Sequence, residues 1–192
     1  MGSETRTTGS GSLTLHRTVV MVGMMGSGKT AIGRALAARL GVPFTDSDAE
    51  IETAAAATIA EIFERDGETF FRRRESEVIA RLMTDRPAIL STGGGAYLAE
   101  RNRDVIHEHG IAVWLNAPLS VLWDRVRNKD TRPLLRTADP YGTLAQLFAN
   151  RSPVYAQAEL TLDVQPRSTI EDTTSAVIDL LATRPDILEV HR

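Results

Sequence analysis

The feature that most narrows what this chain can become is the run Gly23-Met24-Met25-Gly26-Ser27-Gly28-Lys29-Thr30, which fits the pattern Gly-x-x-x-x-Gly-Lys-Ser/Thr. At that spacing the glycines let successive backbone N–H groups turn into one concavity at the positive end of a helix. Phosphate oxygens fit there, Lys29 supplies a point charge for the β and γ phosphates, and the Thr30 hydroxyl is placed to ligate Mg²⁺. The flanks agree with this assignment. Thr18-Val19-Val20-Met21-Val22 reads as a buried strand, and Ile32, Leu36 and Leu40 recur at helical spacing after the loop. An ordinary glycine turn between strand and helix would not require a Lys-Thr pair. Gly26, Ser27, Gly28, Lys29, Thr30 and Ala31 are therefore the expected nucleotide contacts.

Further strands follow at Pro43-Phe44-Thr45, Ala88–Ser91, Ile111–Leu115 and Leu160–Asp163, each separated from the next by helical periodicity. Alternation of that kind predicts an α/β fold of the P-loop type, a parallel sheet of about five strands flanked by helices. Asp46 and Asp48 stand at the end of the second strand, where ligands bind in such sheets, although this segment could equally serve to cap the next helix. Thr58 with Glu61, and Ser168 with Glu171, fit the capping-box pattern; Asp139-Pro140 fits a cap and first helical residue. Gly67 ends one helix, another runs from about Glu68 to Thr84, and a later one covers Tyr97–His109. In the second of these, Arg72 and Glu75 are spaced to pair, which on stability grounds alone describes a solvated face.

Some stretches do not look built for stability. Thr92-Gly93-Gly94-Gly95 has more chain entropy to lose than a simple turn needs, and suggests a second place where backbone approaches a ligand. The strand before it ends in Ser91, where many nucleotide hydrolases carry a metal-binding aspartate, so Asp46 becomes the candidate partner of Mg²⁺. Arg125 to Pro133 is basic and lacks an apolar pattern, as a lid would, with Arg132 just before a stiff Pro133-Leu134-Leu135. Arg151 lies on the same helical face as Leu144, Leu147 and Phe148, where a guanidinium must be paired or hold a ligand.

Composition closes off other chemistries. The 192 residues contain no cysteine, which excludes disulfides, thiolate nucleophiles and Cys-ligated metals, and a net charge of −3 gives no sign of nucleic-acid affinity. His107 and His109 point to different helical faces and read as surface residues. Residues 1–17 are rich in Ser, Thr and Gly and have no apolar segment like that of a secretory signal, so a mobile extension is expected. Nothing approaches the ~18 apolar residues of a membrane helix. The expected organisation is one domain over 18–184, with a substrate-binding region at about 47–84, a lid at about 125–138 and an uncommitted tail at 185–192. The expected setting is cytoplasmic, as a monomer, with no nucleic-acid or membrane partner.

Taken together these segments resemble the shikimate kinase family over Thr18 to about Leu181. The resemblance is carried by the phosphate loop, Phe-Thr-Asp-Ser-Asp (44–48), Gly-Glu-Thr-Phe-Phe-Arg-Arg-Arg-Glu (67–75), Thr-Gly-Gly-Gly (92–95), Arg-Pro-Leu-Leu (132–135) and Arg-Ser-Pro-Val-Tyr (151–155). It implies transfer of the γ-phosphoryl of ATP to the 3-hydroxyl of shikimate, giving shikimate 3-phosphate and ADP within the chorismate and aromatic amino-acid pathway. It further implies that Asp48 accepts the proton of that hydroxyl, that Asp46 and Thr30 hold Mg²⁺, and that Arg72 and Arg151 grip the substrate carboxylate. Gly93, Gly94 and Gly95 would offer N–H groups to the substrate, while Arg132 and Lys29 would stabilise the transferring phosphoryl. Arg125 or Arg127, with Gln165-Pro166-Arg167, would flank the adenine, Arg167 being the contact expected from that loop.

Other readings differ in their details. A gluconate kinase would share the loop and lid but not this whole set. A GTP-dependent switch is suggested by Asn128-Lys129-Asp130-Thr131, but its aspartate comes one residue early and the only Asp-x-x-Gly, Asp139 to Gly142, comes too late in the chain. A catalytically dead ATP-binding regulator would not need the full set of charged residues.

Overall fold

The run Thr18–Val22, here β2, is buried along its whole length, as a strand covered on both faces must be. In the computed structural model, which describes residues 12–128 and 133–191, it is joined by β3 (Phe44–Asp46), β4 (Ile89–Ser91), β5 (Gly110–Asn116) and β6 (Leu160–Asp163). These form a five-stranded parallel sheet of order β3-β4-β2-β5-β6. The register puts both Met21 and Asp46 beside Ser91, so the carboxyl ends of three strands finish level. A ligand-binding rim of the doubly wound kind results.

Helices cover the sheet. The first, α1 (Lys29–Leu40), rises directly from the phosphate loop and is closed by Gly41 in the left-handed conformation, φ 65°. It is followed by α2 (Ser47–Ala55), α3 (Ile59–Met83), α4 (Glu100–His109), α5 (Leu119–Val126), α6 (Pro140–Tyr155) and α7 (Ile170–Ala182). Asp46, rather than Ser47 or Asp48, caps α2, its carboxylate accepting the Asp48 N–H. Thr58 and Glu61 form the expected capping box of α3, and Asp139 caps α6 ahead of Pro140. Gly67, at φ 83°, kinks α3 where the sequence predicts one helix to stop and another to start.

Apolar burial is divided in two. The larger core joins β2, β4 and β5 to α1, α6 and α7 through residues such as Met21, Leu36, Leu144 and Leu181. A smaller one contains Ile51, Ile62 and Phe71, with the Phe63 and Phe71 rings 4.7 Å apart. Each fully buried large side chain contributes about 1.5–3 kcal/mol, so the smaller group can hold α2 against α3 but not much more.

Several local expectations are corrected. Leu13–Leu15 and Leu188–Val190, assigned to an extension and a tail, form β1 and β7 and pair antiparallel. Their pairing lets Leu15, Ile187 and Leu188 enter the core, whereas runs this short show no periodicity. Residues 1–11 lie outside the described residues. The helix expected over Tyr97–His109 begins only at Glu100, after a 3-10 turn at Ala96–Leu98. The capping box of α7 is Thr169 with Asp172, one residue beyond the Ser168–Glu171 pair, because the two overlapping sets satisfy the same spacing rule. Among the described residues no helix is long and apolar enough to cross a membrane. His107 is exposed, as expected, and meets Glu159 at 2.7 Å.

Candidate active site

The loop between β2 and α1 forms the floor of a cleft of about 580 Å³ at the carboxyl rim of the sheet. Gly23, Gly26 and Gly28 take positive φ angles of 138°, 81° and 101°, which L side chains rarely adopt. Lys29 is buried and its Nζ donates to the carbonyls of Gly23 and Met24, both at 2.9 Å, so the ammonium lies within the curl of the loop. Gly26, Gly28, Lys29, Thr30 and Ala31 line the cleft; Ser27 is buried behind them.

Beside the floor stands a set of oxygen donors. The Thr30 hydroxyl donates to Asp46 Oδ2 at 3.1 Å and lies 3.3 Å from Ser91 Oγ. A hydroxyl and a carboxylate next to a phosphate cradle are the hard ligands that Mg²⁺ shares with phosphates and water, so these residues fit that ion. Ser91 completes the group at the strand end where the sequence offers no aspartate.

The opposite wall is made by Asp48 with Thr92, Gly93 and Gly94 of the turn after β4, whereas Gly95, Arg72 and Arg151 stand behind that lining. None of Gly93, Gly94 and Gly95 takes a positive φ, yet a β-carbon on any of them would meet a charged side chain. On Gly93 it would lie 2.7 Å from Asp48 Oδ1, on Gly94 3.5 Å from an Arg151 guanidinium nitrogen, and on Gly95 2.5–2.8 Å from the Arg72 guanidinium. Residues from α2, α3 and α6, far apart in sequence, thus converge on three consecutive peptides.

Electrostatics at that wall favour proton transfer. The Asp48 carboxyl is pushed up from 3.8 to about 6, first by burial and second by the charge of Asp46, against the pull of Lys29 and Arg72. A carboxyl with such a value can hold or release a proton near neutral pH. Arg72 is held by Glu75 at 2.9 Å, with Glu68 more loosely at 3.4 Å. The Arg72–Glu75 pair is not the solvated pair that spacing alone describes, since Glu75 is only 1% exposed. Burial raises its pKa while Arg72 draws it down. A buried acid in this position costs energy unless its arginine is kept in one place.

Of the residues expected around the adenine, only Arg125 lines the cleft. Arg125 is still helical, in the last turn of α5, and its Nη1 donates to the carbonyls of Gly26 at 3.1 Å and Ser27 at 3.4 Å. Arg127 is exposed and lies 3.7 Å from Asp124, away from the cleft wall. Pro166 and Arg167 are exposed and do not line the cleft either. Ser168, Thr169, Ile170 and Thr173 do, at the start of α7. The signal for them was the capping box, which marks a helix N-terminus but not which way it points. Met25 also lines the cleft, from a position of the loop motif where any residue is allowed. Arg132 falls among residues 129–132, outside the described residues, and so does most of the Asn128-Lys129-Asp130-Thr131 segment. Beyond it, Pro133–Leu135 forms a 3-10 turn that buries Leu135 and leaves Leu134 exposed.

Known proteins resemble this chain in sequence and fold. The family profile described as shikimate kinase matches residues 25–182. A shikimate kinase of Ruegeria pomeroyi is 62% identical over 188 residues, covering 98% of this chain and 96% of that one. Another, from Cereibacter sphaeroides, is 61% identical over 175 residues, 91% and 87% of the two chains. Among solved structures, the shikimate kinase from Acinetobacter baumannii in complex with shikimate has a TM-score of 0.82 at 37% identity, covering 87% of this chain and 93% of that one. The chain belongs to the shikimate kinase family.

Proposed function

We propose that ATP lies along the phosphate loop with its γ-phosphoryl facing Asp48, and that shikimate lies between the glycine turn and the two arginines. The chain is an ATP-dependent kinase that phosphorylates shikimate; the division of labour among its residues is the proposal. What supports it most is the convergence of Asp48, Arg151 and Arg72 on Gly93, Gly94 and Gly95 in turn. An acid and two planar cations around one small volume suit an anionic polyol, with the arginines on its carboxylate and the acid at a hydroxyl.

In the transfer step the 3-hydroxyl oxygen attacks the γ-phosphorus, the bond from that phosphorus to the ADP oxygen breaks, and the hydroxyl proton passes to the Asp48 carboxylate. Little covalent work is asked of the protein, so alignment and charge dominate. Lys29 exchanges its contacts with the Gly23 and Met24 carbonyls for phosphate oxygens, and Arg125 braces the loop from behind. Arg132 is assigned to the transferring phosphoryl from the lid. Thr30 and Asp46 would hold Mg²⁺, which when bound neutralises charge on the β and γ phosphates. We also assign the protein as a monomer, working in the cytoplasm.

Coupled turnover tests the proposal. ADP release should require shikimate, ATP and Mg²⁺ together and should not be supported by gluconate. Equal release with gluconate, or none with shikimate, would overturn it.

A further inference from the structure

We propose that Tyr155 is a positioning residue of the acceptor site, its hydroxyl orienting the Gly94 peptide and seating Arg151. The inference rests on the assignment of Arg151 and the glycine turn to shikimate. Tyr155 is wholly buried at the end of α6 and lies one helical turn beyond Arg151, on the same face. Its hydroxyl donates to the Gly94 carbonyl at 2.5 Å. Burial pushes the pKa of that hydroxyl up, and the Arg151 guanidinium beside it pulls it down; both side chains lie about equally close to Gly94, 3.5 and 3.6 Å from where its β-carbon would be.

Peptide geometry turns this contact into an orientation. In a trans peptide the carbonyl of one residue and the N–H of the next point in opposite directions. Anchoring the Gly94 carbonyl to Tyr155 therefore sends the Gly95 N–H the other way, out of the protein's interior. The neighbouring carbonyls are tied down too. Gly93 O accepts the Ala96 N–H at 3.1 Å, Gly95 O the Leu98 N–H at 3.1 Å, and Ala96 O the Asn102 amide at 2.8 Å. Only the Gly94 carbonyl depends on a side chain from another helix that also carries a substrate-binding arginine.

The hydroxyl is not needed to fill space. A phenylalanine ring would pack as well beside Trp114, whose ring centroid is 6.2 Å away. A buried phenol oxygen is retained at a desolvation cost that its hydrogen bonds offset. Its hydrogen bond goes to Gly94, with the Arg151 guanidinium beside it, so both parts of the proposed acceptor site meet at this one hydroxyl.

Steady-state kinetics of Tyr155→Phe, run beside the native chain and Leu144→Ala, provide the test. Leu144 is equally buried on the same helix, seven residues before Arg151, and its apolar side chain can make no hydrogen bond, so it controls for lost packing. For Tyr155→Phe we expect the KM for shikimate to rise about fivefold to twentyfold, with the KM for ATP and kcat within about twofold. Leu144→Ala should lower the Tm further yet leave the KM for shikimate in place. An unchanged shikimate KM in Tyr155→Phe, a parallel rise in both KM values, an equal rise in Leu144→Ala, or a Tyr155→Phe chain that does not fold would each overturn the positioning role. Absence of shikimate-dependent turnover in the native chain would instead overturn the assignment of the site, and is read first.

Discussion

Two glycine-rich segments face each other across the cleft, and they need glycine for different reasons. In the phosphate loop the requirement is first conformational, because Gly23, Gly26 and Gly28 hold positive φ angles, and crowding adds to it, since a β-carbon on them would come 2.9 Å from Leu115, Val126 and Ile32 in turn. In the Thr92–Gly95 turn the backbone is ordinary; Gly95, for example, has φ −87°. There the requirement is spatial at Gly93 and Gly95, where a methyl group would displace Asp48 or Arg72. One segment is shaped for its ligand by its own torsions, the other by what other helices bring to it. The first should therefore fail through the backbone and the second through its visitors.

Asp48→Asn should have the largest effect, lowering kcat about 10²- to 10⁴-fold while ATP affinity stays nearly unchanged. Isothermal titration with ATP checks the second half, and lost affinity would move Asp48 out of the base role. Arg151→Ala comes next. Loss of a charge-assisted contact should raise the KM for shikimate about tenfold to a hundredfold and that for ATP far less. Equal shifts would remove Arg151 from the carboxylate. The contrast itself is tested by a pair of variants. Gly28→Ala must hold φ 101° and should weaken ATP binding about tenfold, with a lower Tm. Gly95→Ala keeps a permitted backbone but pushes Arg72 aside, so shikimate KM should rise about tenfold with Tm almost unmoved. If both variants lose the same substrate, the distinction between torsion and space is wrong.

The smallest effect concerns α7. The Asp172 carboxyl is held below its ordinary value by the Thr169 hydroxyl and then by the Thr169 N–H. A lowered folded-state pKa adds stability that is present above the usual carboxylate range and is lost as pH falls through the folded value. Thr169→Ala should therefore lower the Tm by about 1–3 °C at neutral pH, with the gap closing in acid. Scanning calorimetry at the two pH values reads it; a gap that widens in acid would contradict the cap.

Much of the fold was legible because its signals are local. The five strands, the phosphate loop and the caps at Thr58 and Asp139 are each written within a few residues. The acceptor wall was not. Asp48, Arg72 and Arg151 meet only because α2, α3 and α6 fold against one turn, and spacing alone left Asp48 a possible cap and Arg72 a surface charge. Glu75 shows why: its burial is a property of the packed molecule, not of an i,i+3 pair. Thr169 was displaced by one residue because two overlapping quartets satisfy one rule. Tyr155 closes the Arg-Ser-Pro-Val-Tyr segment with nothing local to mark a role, since a tyrosine after an apolar face looks like packing until its partner is seen.

The separation of Ile51, Ile62 and Phe71 from the main core carries one more consequence. Amides in α2 and the first half of α3 should exchange with deuterium sooner than those of β2, because opening that corner exposes few side chains. Arg72 follows directly on Phe71, at the loosely anchored corner, whereas Arg151 belongs to a helix rooted in the larger core. A carboxylate gripped by both would act as a rivet between them, making the enzyme most rigid when its acceptor is aboard.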